Sequence, residues 1–149
     1  MKLEPIMTLS VAIAEILATG PTPVGEVRLL PFTSGTFEGK DMRGRLLPGG
    51  TDWQQVRADG VLEIRAHYLL ETDRGERIEV VSEGIRHAPP GVLERIARGE
   101  SVSADEYYLG TFIRLRTVAP RLAHLNQGLF VSVGERTRDA VHLTVYAVP

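Results

Sequence analysis

Between Leu62 and Arg86 the chain alternates apolar and polar side chains along two arms joined at Asp73-Arg74-Gly75. A period of two is met by extended backbone with one face buried. On the first arm Leu62, Ile64, Ala66, Tyr68 and Leu70 share a face, and Glu63, Arg65, His67 and Glu71 share the other. On the return arm Ile78, Val80, Ser82, Gly84 and Arg86 lie opposite Arg77, Glu79 and Glu83. The inner face therefore starts apolar and ends polar at Arg86, the pattern expected of a pocket mouth or floor.

The same period recurs along the chain. Leu3, Met7, Leu9, Val11 and Ile13 share one parity. The opening also carries a short apolar stretch after Lys2, as a secretion signal would. Glu4, Pro5 and Glu15 interrupt it, so the strand reading is preferred. Gly20-Pro21-Thr22-Pro23 is a break, Gly25 to Phe32 reads as extended, and Pro31 suggests an edge or bend. Gly35, Gly39 and Gly44 mark bulges, corners or close backbone approach in the next strands. Pro48-Gly49-Gly50 is a turn, and Asp59-Gly60 is a hairpin signal with positive φ expected at both turn positions. One helix is expected after Pro89-Pro90, lined by Val92, Leu93 and Ile96 and closed by Gly99. Ser103 to Glu106 matches a capping box. Ile113, Leu115 and Thr117 face inward on a further strand, the segment after Pro120 reads as a loop, and residues 129–135 and 141–148 form a last hairpin through a charged loop from Arg136 to Asp139.

Many short strands with one helical insertion predict an all-β fold. The expected architecture is a closed antiparallel barrel of about eight strands with one short inserted helix, in one domain over residues 1–149. A barrel of this kind holds one small ligand inside.

Composition removes several function classes. There is no cysteine, which excludes disulfides, thiolate metal sites and cysteine nucleophiles. Seventeen basic side chains against nineteen acidic ones give a net charge of −2, which argues against a nucleic-acid partner. No apolar run reaches the roughly 18–20 residues of a membrane helix, so no membrane partner is expected and a cytoplasmic location is, with leaderless secretion left open. No phosphate loop, dinucleotide fingerprint or nucleophile elbow is present. His67, His87, His124 and His142 lie far apart, with no pair at metal-ligand spacing on one element, so no metal and no cofactor are expected. Arg43, Arg45, Arg114 and Arg116 are interleaved with acids and read as a solvated outer face.

Polar residues at apolar positions remain. Asp52 is either a turn aspartate or a carboxylate held against the indole of Trp53 in a cavity, where desolvation raises its pKa toward that of a general base. Arg86 either pairs with Asp52 or Glu38, or anchors a ligand carboxylate or an enolate-like oxygen. Tyr68 is a core residue or a hydrogen-bond donor to a ligand carbonyl. Asp52, Arg86 and Tyr68 are the candidate catalytic set. Trp53, Glu38, His87, His124, Asn126 and Tyr107 are candidate ligand-binding residues, Asn126 doubling as a turn former and Tyr107 or Tyr108 as packing over a barrel end.

The ordered string Gly25, Arg28, Pro31, Gly35-Thr36-Phe37-Glu38-Gly39, Gly44 and Leu47-Pro48-Gly49-Gly50-Thr51-Asp52-Trp53 continues with Asp59-Gly60, Gly84-Ile85-Arg86, Tyr107-Tyr108, Leu125-Asn126 and Phe130-Val131. It resembles the family known as domain of unknown function 3237 over nearly the whole chain. The Pro-Gly-Gly-x-Asp-Trp segment is its most specific part. The resemblance implies a small bacterial or fungal β-barrel, often packed as a homo-oligomer, and no settled activity. Ser34 stands where a second glycine is expected before Gly35, and His124 where a bulky apolar residue is common. The latter puts a titratable group near the barrel mouth and leaves any borrowed role for that loop in doubt.

Two functions fit. One is a cofactor-independent enzyme of isomerase, lyase, dehydratase or cyclase type, acting by proton transfer on a small, largely apolar or aromatic metabolite. The other is a non-catalytic carrier of a small hydrophobic ligand. A barrel packed shut, serving only as an oligomer building block, is a third.

Overall fold

In the computed structural model, which describes all 149 residues, the two alternating arms become one of the two longest antiparallel partnerships, the other being that of the return arm with the strand after it. The strands are β1 (Glu4–Ile13), β2 (Leu17–Ala18), β3 (Val27–Gly39), β4 (Arg43–Leu46), β5 (Thr51–Val56), β6 (Leu62–Thr72), β7 (Arg77–His87), β8 (Tyr108–Thr117), β9 (Leu129–Arg136) and β10 (Ala140–Val148). β6 and β7 pair without slippage from Leu62↔Arg86 to Glu71↔Arg77. Register is pinned because a one-residue slip would turn every buried side chain to water.

The ring runs β1-β10-β9-β8-β7-β6, then through β4 and β5 to β3, and β3 pairs back onto β1 from Met7↔Gly39 to Ile13↔Phe32. β4 and β5 occupy one position between β6 and β3, each pairing with both, and β2 lies outside on β3. This is a closed eight-stranded antiparallel barrel with two extra strands. Closure leaves the barrel wall no free strand edge. The seam needs small residues: a Cβ on Gly35 would stand 2.7 Å from the Ser10 carbonyl oxygen of β1. That is the close backbone approach expected of these glycines.

The interior is layered. An apolar cluster of 18 buried residues includes Met7, Leu9, Leu70, Ile78, Leu115, Phe130 and Val145. A smaller one, Leu62, Ile64 and Leu109, lies towards the opposite end with Val56, Tyr107 and Val141 packed on it. Helix α1 (Val92–Ala97) buries Val92 and Ile96, and the capping box of Ser103 and Glu106 holds a single 3₁₀ turn before β8.

Three local expectations differ. Asp59 does not adopt positive φ; only Gly60 does, at 85°, because the turn spans Arg57 to Val61 and places one residue in the left-handed region. The segment after Pro120 is a 3₁₀ helix (Pro120–Gln127) instead of a loop, and its Leu122 and Leu125 plug the apolar end. Thr117 is only half-buried. Arg43, Arg45 and Arg116 lie outside, in contact with Asp73, Glu71 and Glu79, as an acid-interleaved outer face requires. No helix is long and apolar enough to cross a membrane.

Candidate active site

The turn Pro48-Gly49-Gly50 sets the site's first residue. Gly49 has φ of 99°, and Gly50 packs so tightly that a Cβ there would lie 2.5 Å from Cβ of Tyr68. This delivers β5 against β6 with Asp52 facing Ala66 across the ladder. Asp52 then points inward and Trp53 outward, since neighbours in a strand face opposite sides. Phe32 meets Tyr68 edge-to-face, with centroids 5.5 Å apart, and fixes the phenol ring.

Asp52, Tyr68 and Arg86 line one cavity of about 50 Å³. They are 7%, 5% and 9% exposed. Gln54, Ser82 and Thr111 add polar lining, residues such as Val11, Phe32, Ile64 and Leu143 add apolar lining, and Arg136 adds a second guanidinium. Four buried side-chain polar atoms in the molecule have no hydrogen-bond partner: Asp52 Oδ1, Tyr68 Oη, Arg86 Nε and Arg136 Nε. All four belong to residues lining this cavity. Buried polar groups are otherwise nearly always partnered, so such a concentration singles this cavity out as the candidate site.

Electrostatics agree with the geometry. Burial raises the Asp52 carboxyl from 3.8 to about 6, against the hydrogen bond donated by Gln54 Nε2 to Oδ2 at 2.8 Å and the pull of Arg86 and Arg136. Burial, and then the repulsion of Arg136, bring the Arg86 guanidinium down to about 10, so it stays charged at neutral pH. Burial pushes the Tyr68 phenol up, keeping it a donor. Deeper in the wall, the Thr111 and Ser132 hydroxyls satisfy each other at 2.6 Å.

Arg136 is the residue that sequence reasoning missed. Its neighbours in sequence read as a charged loop, yet Phe130, Ser132, Gly134 and Arg136 share one parity along β9, as Ile78 to Arg86 do on β7. Its amide donates to Tyr107 Oη at 2.8 Å, and its Nη1 donates to the carbonyls of Thr137 and Arg138. Tyr107 thus supports the cavity through Arg136, while Tyr108 is exposed.

The other expected binding residues lie elsewhere. Trp53 is 47% exposed on the outer face and lines a separate groove with Glu63, Arg65 and Glu83, not this cavity. Glu38 lies in an exposed outer groove of about 730 Å³ with His142 and Tyr108, whose walls hold none of the unpartnered atoms. His87 is exposed, turned away from Arg86 by alternation. His124 is exposed and Asn126 binds the backbone of Thr117 on the 3₁₀ helix at the far end. β8 starts at the cavity end and finishes at the opposite one, so every residue soon after Thr117 is carried away from the site. Arg86 forms no ion pair with Glu38, which faces outward. The cavity's volume is well below the ~150 Å³ of a cavity that takes up benzene, so an aromatic metabolite does not fit inside the barrel as it stands.

The family profile described as "Protein of unknown function (DUF3237)" matches residues 1–148. The UPF0311 protein RPA1785 of Rhodopseudomonas palustris is 33% identical over 143 residues, 96% of this chain and 94% of that protein. The crystal structure of RPA1785 has a TM-score of 0.94 at 32% identity, covering 99% and 97% of the two chains. A beta-barrel like protein from Acinetobacter baumannii AYE matches with TM-score 0.85 and 36% identity over 99% and 96%. A structure described as an enzyme from Penicillium herquei has TM-score 0.71 at 18% identity over 97% and 93%, a likeness of fold.

Proposed function

The chain belongs to the DUF3237 family of proteins of unknown function, and from that premise we propose that it is a cofactor-independent enzyme moving a proton on a small carbonyl-bearing molecule. The observation that carries this reading is the convergence of unpartnered buried atoms of an acid, a phenol and guanidinium groups on one cavity. The barrel is also one on which a protein from Penicillium herquei, described as an enzyme, is built.

Asp52, with its carboxyl near 6, is mostly ionised at neutral pH and still a strong enough conjugate acid to return a proton. Its Oδ1 takes a proton from the carbon beside the substrate carbonyl. The C–H electron pair forms a C=C bond, and the carbonyl electrons move onto oxygen. Tyr68 Oη donates to that oxygen, and the charge of the nearby Arg86 guanidinium stabilises it. Protonation at another carbon gives isomerisation; loss of a group from the neighbouring carbon gives elimination. The cavity admits the reacting head of the substrate, and the walls must shift to admit more.

The test is deuterium exchange. Purified protein is incubated in D₂O with a panel of small ketones and keto acids, and label at the carbon beside the carbonyl is read by NMR. Exchange with at least one compound, lost in Asp52→Asn, is the expected result. Ligand binding with no exchange across the panel makes the barrel a carrier instead.

A further inference from the structure

We propose that the cavity's ligand presents a monoanionic oxygen pair, a carboxylate, to Arg86 and Arg136 together. The inference rests on the cavity being the ligand site and adds the charge of what enters it.

The ion-paired arginines Arg43, Arg45, Arg57 and Arg77 meet Glu or Asp on the outside, and Arg28, half-buried on the inward parity of β3, is held by Glu26. Arg86 and Arg136 form no ion pair, and each leaves a buried Nε without a partner at the same cavity. β1, β3 and β10 bring only Val11, Phe32, Val141 and Leu143 to the lining, with no charge among them. The charged and titratable groups facing the space are therefore Asp52 from β5, Tyr68 from β6, Arg86 from β7 and Arg136 from β9. Two guanidiniums face one carboxyl in this desolvated place; the outer charges that reach them, Arg28 on Arg86 and Asp139 on Arg136, are of opposite sign and offset, so an excess of one positive charge remains. An unbalanced buried charge is costly. One carboxylate neutralises the excess and accepts from both Nε groups, and Tyr68 Oη remains free for a second oxygen of the ligand. Arg136 is thereby a binding residue. Its Nη1 is already tied to the loop carbonyls after β9, which holds the guanidinium in place before a ligand arrives.

Formate is a probe small enough for about 50 Å³, and formamide is its neutral counterpart. ¹³C-formate and ¹³C-formamide are titrated into the full chain by NMR, with ionic strength held constant by chloride, which carries no oxygen pair. Saturable formate binding in the millimolar range is expected, as for any ligand of so few atoms, with none for formamide. Arg136→Gln is expected to weaken formate at least tenfold. Asp52→Asn is expected to keep or tighten it, because a competing negative charge is gone. Arg86→Gln should behave as Arg136→Gln does; should it fail to fold, Arg136→Gln and the formate–formamide pair decide. Equal binding of formamide, wild-type affinity in Arg136→Gln, or no formate binding overturns the proposal. Formate binding without any deuterium exchange keeps this inference and sinks the catalytic one; exchange on neutral ketones with no formate binding does the reverse.

Discussion

The two ends of the barrel are closed by opposite means. At the end where β8 finishes, Leu122 and Leu125 of the 3₁₀ helix, each 1% exposed, join one apolar cluster with Met42, Leu46, Leu70 and Ile78. The polar groups there are partnered: Asn126 exchanges hydrogen bonds with Thr117 at 2.8 and 2.9 Å, and Arg121 grips Glu76. At the other end a layer of Asp52, Gln54, Ser82, Arg86 and Thr111 is buried, and the unpartnered atoms gather. The first end satisfies every demand of burial and gives stability. The second leaves demands open, which lowers stability at the end where the proposed site lies.

The largest expected difference is in activity. Asp52→Asn should slow deuterium exchange by about 100-fold or more, the usual scale of a lost acid–base group, whereas Leu122→Ala should leave the per-molecule rate of folded protein unchanged. In stability the order reverses. Leu122→Ala should cost about 2–5 kcal/mol in urea denaturation, the range for emptying a buried leucine site. A cost below 1 kcal/mol there would mean that the plug is dispensable and the comparison false.

The pH dependence of stability separates the ends next. The folded carboxyl of Asp52 sits near 6 against 3.8 for an ordinary one, so the folded state binds this proton more tightly. Stability from this group is therefore highest below pH ~4, falls as pH rises towards 6, and levels off above. The loss is about 3 kcal/mol at most, from 1.36 kcal/mol per pKa unit. Denaturation midpoints from pH 4 to 7 should show this slope in the wild type and a flatter one in Asp52→Asn. A slope of opposite sign would place Asp52 in a strong ion pair instead.

Asn126→Ala at the plugged end should cost about 1 kcal/mol, one net hydrogen bond's worth, with formate binding untouched. The smallest effect concerns Trp53, the only tryptophan, which lies on the outer wall. Its fluorescence should be that of a partly hydrated indole and should not change on formate addition. A ligand-dependent shift would bring the outer face into the site.

Much of the cavity end was legible because a strand's parity commits its residues in pairs. Tyr68 and Arg86 follow from the apolar residues they alternate with, and Asp52 from the turn before it. The same rule, applied to its neighbour, turns Trp53 out, and applied to β9 it brings Arg136 in. His124 and Asn126 went astray for a different reason: the direction of β8 takes them to the far end, and direction is a property of the whole ring. His87 and Glu38 carry useful chemistry on the wrong face of their strands.

The sequence by itself determined which backbone positions are buried, because the apolar period and the glycine turns are local and admit one register for each hairpin. It also determined the family, through a string of residues tied to those turns. Only the tertiary structure decided which buried polar groups share a space, how small that space is, and that two guanidiniums face one carboxyl. Those depend on closing the ring at β1 and β10, where residues from opposite ends of the chain such as Glu4 and Ala147 pair and so set which inner faces look at one another across the barrel.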